Sequence, residues 1–424
     1  MNGSSLHSAS RRRLLAGSAG ALAALGLGAA TRTAHAQGAS APATSGQIGP
    51  APTISQPAAP AAKPLPAYVA WKNADALIVH SSNTIETRRT VFGDGVITPA
   101  SQLYIRNNVA PPDPSILKDR DAWKVAIEGV KNPGEVTVGE LKTLGLATIA
   151  MVLQCSGNGR KFFPHKPSGT PWNVGAAGCV MWSGLPVKQL VEAMGGMADG
   201  MGYMTGRGGE ILPAGIDANT VVVERSVPLE AMQDALLAWE MNGEPISLAH
   251  GGPLRLIVPG YSGVNNIKYI ARLAFTREQT QAAIQNVRYR LAPVGAKETP
   301  QQPAVWQMDV KSWINGFDSE GTLPTGRYVI RGVAFGGMDA VKSVDVSVDG
   351  GKTWRPAYFV GPDLGKYAWR QFALPVDLKP GDYVFVSRAT DAKGNVQLEN
   401  RNDNEAGYLN SSWRDHALKI KVAA

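Results

Sequence analysis

The sequence predicts an α+β region followed by a β-sandwich, and three observations carry that prediction. The first is length: 424 residues, at roughly 150 per domain, supply two or three domains with ample chain for a core. The second lies between Tyr68 and about residue 300, where short β-like runs alternate with short helical ones in no regular βαβ series. The third is a change near residue 300, beyond which strand-like runs separated by turn residues fill roughly 120 residues, as in a sandwich. An apolar content of 44% excludes wholesale disorder.

Taken in order, residues 1–36 read as an export address. Arg11, Arg12 and Arg13 precede an apolar, Ala/Gly/Leu-rich stretch from Leu14 to Ala30, and Ala34-His35-Ala36 offers a small-x-small cleavage site. The twin arginine marks the bacterial route that exports proteins already folded, which predicts a periplasmic protein loaded with a cofactor before export. Residues 37–66, rich in Ala, Pro, Ser, Gly and Gln, predict a flexible tether. No later stretch of about 18 or more apolar residues occurs, so no membrane insertion is expected once the signal is removed.

Within 67–300, strands are expected at Trp123–Glu128, Ala150–Gln154, Val221–Glu224 and Leu254–Val258. Helices are expected at Val138–Leu144, Leu185–Met194 and Leu229–Ala238, and the Gly/Met-rich run Met194–Gly209 reads as a mobile loop. Within 301–424, strands are expected at Tyr328–Ala334, Val341–Asp349, Lys352–Tyr358, Arg370–Leu374, Asp382–Thr390 and Ala417–Val422. The alternation through Val344–Asp349, a turn at Asp349-Gly350-Gly351 and resumption at Lys352 predict a hairpin. Trp306, Trp313 and Trp354 read as core or interface aromatics.

Composition narrows the chemistry. The formal charge is +8, but residues 1–36 hold four arginines and no acid, so their removal halves it to +4. That mild excess suits an anionic small molecule or an acidic partner. No dense Lys/Arg run with interleaved aromatics points to nucleic acid. Two cysteines cannot build a Cys₄ zinc site or a Cys-ligated iron–sulfur cluster, and neither lies in a C-x-x-C-H motif, so no haem is expected in this chain. His7, His35, His80, His165, His250 and His416 include no pair at metal-ligand spacing on one helix. Any metal is therefore held mostly by something other than protein side chains.

Three segments carry candidate chemistry. In Met151–Arg160 an apolar strand delivers Cys155 into a Gly/Asn turn, with Arg160 five residues on; amides and arginine favour the thiolate. The residues alone leave Cys155 open as a soft-metal ligand, a nucleophile, or half of a disulfide with Cys179 in an oxidising compartment. In Leu103–Asn108 a strand ends in polar donors, and the planar fork of Arg106 suits an oxyanion. From His250 through Gly251 and Gly252 to Arg255, then Gly260–Gly263 and on to Lys268, glycine turns flank a buried strand. Their amides, with His, Arg and Lys, can cradle a phosphate and a polar heterocycle. Position 264 is Val, so no G-x-S-x-G elbow exists, and neither a P-loop nor a dinucleotide fingerprint follows a strand.

Together these segments resemble the sulfite oxidase family of molybdenum enzymes, and within it the periplasmic bacterial sulfite dehydrogenases. The resemblance runs from about Ala74 to the carboxyl terminus. It rests on QCSGNGR at 154–160, YIRNN at 104–108, AWEMNGEP at 238–245, HGGPLRLIVPGYSGVNNIK at 250–268 and SVDGGKTW at 347–354. It implies a mixed α+β domain binding one molybdenum-molybdopterin, at 67–300, and an immunoglobulin-like β-sandwich that mediates dimerisation, at 301–424. It implies that Cys155 ligates molybdenum. Tyr104, Ile105, Arg106, Asn107, Asn108, Asp217, His250, Arg255, Asn266, Ile267 and Lys268 would form the cofactor cradle, and Arg106, Arg160 and Tyr289 the substrate-anion pocket.

The activity so implied is two-electron oxidation of sulfite to sulfate, the oxygen atom delivered from molybdenum, with electrons passed singly to a separate c-type cytochrome. A homodimer or a heterodimer with a cytochrome subunit is implied with it. Two departures stand out: Asn108 replaces a histidine common in the family, and the carboxyl-terminal pocket arginine of animal enzymes falls at Ala406, with Arg401 or Arg414 as possible substitutes. The competing readings are a sulfane dehydrogenase subunit of a thiosulfate-oxidising complex and a methionine sulfoxide reductase of related fold, for which the sandwich is not expected. A third is a non-enzymatic periplasmic binding module with Cys155 and Cys179 disulfide-bonded.

Overall fold

Strand Ala147–Gln154 organises the first region, because its alternate side chains serve two different cores. The structure is a computed structural model, and it describes residues 63–424 except Asp94, Asp318 and Ser319. The export address at 1–36 and the tether as far as residue 62 lie outside the described residues, which belong to one contact unit. No helix among them is long and apolar enough to cross a membrane. Met151 and Leu153 face a cluster with Leu103, Tyr104, Trp182 and Ile257. Ala150 and Val152 face another with Phe92, Cys179, Trp313, Phe335 and Trp369. Each fully buried aliphatic side chain contributes about 1.5–3 kcal/mol, so burial on both faces fixes this strand.

Its partner Ala177–Pro186 pairs antiparallel, from Ala147 opposite Gly184 to Gln154 opposite Ala177. Leu236–Met241 pairs with Ala177–Pro186 and with Arg255–Ile257, and Glu244–Pro245 completes the sheet. A second five-stranded sheet runs Gly134–Thr137, Lys124–Glu128, Ile270–Thr276, Tyr203–Gly208, Glu224–Pro228, its Lys124–Glu128/Ile270–Thr276 pair being parallel. A small sheet of Leu77–Ser81, Thr84–Thr87 and Ile105–Arg106 carries the Arg106 segment. The predicted helix Val138–Leu144 is present. Thr137 accepts from the Glu140 amide at 3.1 Å while the Glu140 carboxylate accepts from the Thr137 amide at 2.9 Å, a reciprocal cap.

Beyond residue 310 two sheets face each other. One holds Lys311–Ile314, Gly326–Phe335, Arg370–Leu378 and Tyr358–Val360. The other holds Glu320–Pro324, Leu418–Ala423, Gly381–Asp391, Val341–Ser347 and Arg355–Pro356. Ile330, Phe372 and Leu374 from the first meet Val344, Val346, Phe385 and Ile420 from the second in one core, the packing of a sandwich.

Several elements differ from expectation. Leu229–Ala238 is a 3₁₀ turn, Leu229–Gln233, followed by the central strand Leu236–Met241. A continuous apolar run buried on both faces has no periodicity to separate helix from strand. Val221–Glu224 splits: the turn Ala218–Val221 is capped by Asp217, and the strand starts at Glu224. Leu185 and Pro186 end a strand, so the following helix is only Val187–Ala193. Met194–Gly209, read as a loop, contains the interior strand Tyr203–Gly208. The hairpin after Val341–Ser347 is wider than a two-residue turn. The Asp349 carboxylate accepts from the Thr353 hydroxyl at 2.6 Å and from the Thr353 and Lys352 amides at 2.9 and 3.1 Å, so pairing resumes only at Arg355–Pro356. Trp313 is buried at the junction of the two regions, and Trp306 and Trp354 are half-buried.

Candidate active site

Cys155 closes strand Ala147–Gln154, where its amide donates to the Ala176 carbonyl at 2.8 Å. Asn158 fixes the turn that follows: its side chain donates to Gln154 Oε1 at 2.9 Å and accepts from the Ala176 amide at 3.0 Å. The sulfur thus sits on a rigid sheet end. Both cysteines are free thiols. Cys155 belongs to the cluster on one face of the sheet and Cys179 to the cluster on the other, so the disulfide considered from sequence does not form. Burial pushes the Cys179 thiol up to about 12, the behaviour of an inert core cysteine.

Cys155 opens into a cleft with about 670 Å³ of empty space. Eleven of the fourteen residues expected from sequence line it: Tyr104, Arg106, Asn107, Asn108, Cys155, His250, Arg255, Asn266, Ile267, Lys268 and Tyr289. Three do not. Ile105 turns into the core with Val69, Leu77 and Ile85. Asp217 is exposed, its carboxylate accepting from the Asn219 amide at 3.0 Å as a helix cap. Arg160 lies one layer out. Its Nε donates to the Ala406 carbonyl at 2.9 Å and its Nη1 to the Thr170 carbonyl at 3.1 Å. Its Nη2 occupies the space a Cβ at Gly157 would need, 2.4 Å from that position, which explains glycine there. Ala406 therefore contributes a carbonyl, not a cation. Neither Arg401 nor Arg414 replaces the missing arginine: Arg401 pairs with Asp415 at 2.8 Å and Asp403 at 2.8 Å, and Arg414 pairs with Glu399.

Sequence reasoning missed Glu210. Its carboxylate lines the cleft, and burial pushes its pKa up to about 7. An acid directly after Gly208-Gly209, at the end of a strand, was the available signal, hidden by reading that stretch as a loop. Lys72, also missed, is buried behind the cleft, where its Nζ donates to the Ala100 and Leu103 carbonyls at 2.5 and 2.8 Å. Burial lowers its pKa to about 7.

The inner part of the cleft is a set of donors and cations that exceeds its acids. Lys268 Nζ donates to Asn107 Oδ1 and the Ala249 carbonyl, both at 2.6 Å. Arg255 donates to the His250 carbonyl at 2.9 Å and the Asn266 carbonyl at 3.3 Å. Burial, reinforced by repulsion from neighbouring cations such as Arg255 and Lys72, holds His250 and Lys268 well below their ordinary pKa values, and burial brings Arg255 to about 10. His250 Nε2, Arg255 Nε and Glu210 Oε2 are buried with no hydrogen-bond partner among the described residues. Leaving such a group unsatisfied costs about 1–3 kcal/mol, so the set calls for a polar, anionic ligand that returns those bonds and restores the suppressed charges.

At the outer part, Asn108 Oδ1 accepts from Arg106 Nη2 at 2.6 Å and from the Tyr289 hydroxyl at 3.3 Å. Arg106 also donates to the Asn107 carbonyl. These bonds, with a further one to Tyr289, leave Arg106 with N–H donors to spare for an anion. Tyr289 holds this position from a left-handed backbone, φ 53°. Such backbones are costly for a non-glycine residue and concentrate at functional sites.

Residues 112–284 match the oxidoreductase molybdopterin binding domain, and residues 302–423 match the Mo-co oxidoreductase dimerisation domain. The chain is thus a molybdopterin-dependent oxidoreductase with an appended dimerisation domain. It belongs to the sulfite oxidase family of molybdenum enzymes. It is 27% identical to sulfite oxidase of Arabidopsis thaliana over 368 residues, 79% of this chain and 91% of that one. To mitochondrial sulfite oxidase of Homo sapiens it is 28% identical, over 78% of this chain and 62% of that one. To nitrate reductase [NADH] 2 of Phaseolus vulgaris it is also 28% identical, over 79% of this chain but 40% of that one. Among solved structures, the sulfane dehydrogenase SoxCD from Paracoccus pantotrophus shares the fold with a TM-score of 0.64, at 24% identity over 82% of this chain and 88% of that one. The dimerisation-domain match argues against the methionine sulfoxide reductase reading, and the free thiols argue against the disulfide-bonded binding module.

The cleft suits molybdenum-molybdopterin on its own chemistry. Arg255, His250, Lys268 and Asn107 would hold the phosphate and pterin edge. Glu210 would accept from the heterocycle, and Cys155 is the single sulfur donor lining the cleft. Glu210 also yields a stability prediction. Its folded pKa lies above the unfolded value, so the folded chain holds its proton longer, and stability from this group falls as pH rises from about 4.5 to about 7. Glu210→Gln in cofactor-free protein is expected to raise the melting temperature by several degrees at pH 8 and not at pH 4. Scanning calorimetry at the two pH values checks this.

Proposed function

We propose that the protein is a periplasmic sulfite dehydrogenase that oxidises sulfite to sulfate and passes electrons singly to a c-type cytochrome. The observation that carries this reading is the outer end of the cleft, where Arg106 presents free N–H donors beside Cys155 and Tyr289, with Arg160 one layer behind. The bound molybdenum cofactor would supply the two-electron redox and oxygen-transfer chemistry. In balance, sulfite and water give sulfate, two protons and two electrons. The protons go to solvent and each electron goes to one cytochrome haem.

The protein's own part is binding and orientation. Arg106 would take the anion through a planar fork, and Asn108 keeps that fork aimed while linking it to the Tyr289 hydroxyl. Arg160 adds positive potential without the freedom to swing, because two of its nitrogens are tied to carbonyls. The twin arginine at Arg11-Arg12 supports periplasmic export. The dimerisation-domain match supports a homodimer or a heterodimer with a cytochrome subunit. An immunoglobulin-like description of the sandwich is supported by its sheet orders, with Gly326–Phe335 and Arg370–Leu378 central in one sheet and Gly381–Asp391 central in the other.

The test is a steady-state assay of purified full-length protein with sulfite and a c-type cytochrome, alongside molybdenum quantification. The expected result is about one molybdenum per chain and two cytochromes reduced per sulfite consumed. Molybdenum-loaded protein that ignores sulfite but oxidises a sulfane-sulfur substrate would replace this reading with the sulfane dehydrogenase one.

A further inference from the structure

We infer that Tyr408 is a positioning residue for the anion-binding end of the cleft, holding Tyr289 and Arg160 in register from the carboxyl-terminal region. The inference rests on reading that end as the substrate pocket. Four side chains form a single stack. The Arg225 guanidinium lies 5.6 Å from the Tyr289 ring centre. The Tyr289 and Tyr408 rings are stacked at 5.1 Å and 15°. The Arg160 guanidinium lies 5.5 Å from the Tyr408 ring centre. Cations thus cap both ends of an aromatic pair, with each guanidinium facing a ring. Tyr408 is the only member of the stack that comes from beyond residue 300.

Its own position is over-determined. The Asn404 side chain donates to the Tyr408 carbonyl at 2.9 Å and accepts from its amide at 2.8 Å. The next residue, Leu409, has a left-handed backbone at φ 54° and donates its amide to the Ser156 carbonyl at 2.9 Å. Asn410 Nδ2 donates to the Gly159 carbonyl at 3.1 Å. Gly407, at φ 66°, has no room for a Cβ, which would come within 2.9–3.0 Å of Pro167 and Arg160. The segment 404–410 is therefore tied to the turn that carries Cys155. Through Tyr289 and Asn108 the same stack reaches Arg106, so one ring couples Arg106 in the cleft to Arg160 one layer behind it.

The experiment uses molybdenum-loaded full-length Tyr408→Leu and Tyr408→Phe, with sulfite kinetics and calorimetric titration of sulfate. Tyr408→Leu is expected to raise the sulfite KM and weaken sulfate binding by about tenfold, with kcat changed less than about threefold and molybdenum content unaltered. Tyr408→Phe keeps both ring faces and is expected to recover most of the loss. A merely structural role would instead lower metal content and melting temperature and leave KM alone. If the leucine variant does not fold, Tyr408→Met is read in its place. Unchanged KM and sulfate affinity without the ring, or a phenylalanine variant as impaired as leucine, overturns the inference. Wild-type protein that binds sulfate but does not oxidise sulfite removes the proposed activity, while the sulfate titration still decides the role of Tyr408. Wild-type protein that binds no sulfate overturns the inference as well.

Discussion

Replacing Cys155 with serine is expected to cut sulfite turnover on the order of a thousandfold or more while leaving the fold intact. A serine hydroxyl is a hard, weakly acidic donor and does not replace a thiolate on a soft metal. The fold is spared because the side chain faces the cleft and the turn is fixed by Asn158 and backbone bonds rather than by sulfur. The cost in stability is expected to stay within about 1 kcal/mol. Cys179→Ser should behave in the opposite way. That residue is fully buried among Val152, Trp313 and Trp369, so a hydroxyl there costs about 1–3 kcal/mol of stability while turnover persists. Cytochrome reduction, molybdenum content and calorimetric melting of the two variants separate the roles. Turnover retained by Cys155→Ser would remove the metal-ligand assignment.

The contrast between the two cysteines also marks what the sequence could and could not convey. Cys155 was legible because a strand, a cysteine and a Gly/Asn turn lie within ten residues. The same local density explains Tyr104–Asn108 and His250–Lys268, whose chemistry is concentrated in short runs that line one cleft. Glu210 was not legible, because its role depends on strand Tyr203–Gly208 being interior to a sheet, and a Gly/Met-rich stretch has no alternation to announce that. Asp217 was chosen seven residues away, where an acid caps a solvent-exposed turn. The sandwich was read well where one face is core and the other solvent, as in Leu418–Ala423, whose burial alternates strictly. Leu236–Met241, buried on both faces, has no clear period, so its first three residues read as the end of a helix over Leu229–Ala238. The stack through Tyr408 joins residues 160, 225, 289 and 408, a long-range arrangement that no local pattern encodes.

Arg106→Met is the other large effect, expected to raise the sulfite KM about a hundredfold and to lower kcat/KM about a thousandfold. The pocket has little in reserve. Arg160 is tied by Nε and Nη1 and lies behind Gly157, and Arg401 and Arg414 are paired with carboxylates elsewhere. Lys268, His250 and Arg255 face the inner cleft, where they would be engaged by the cofactor's anion. Losing Arg106 therefore removes a planar donor set from a partly desolvated site, where a single preorganised donor is worth about 10²–10³ in rate and a full charge more. Arg106→Lys separates charge from geometry. An ammonium preserves the attraction but not the fork, and it loses the bond to Asn108 that holds Tyr289 in place. It should recover the KM more than kcat. The loss in Arg106→Met should shrink relative to wild type as salt rises, since screening weakens the arginine's own contribution, whereas the loss in Arg106→Lys, which keeps the charge, should change little. Molybdenum content measured in parallel excludes loss of cofactor. An unaltered KM in Arg106→Met, with molybdenum retained, would place the substrate anion elsewhere in the cleft.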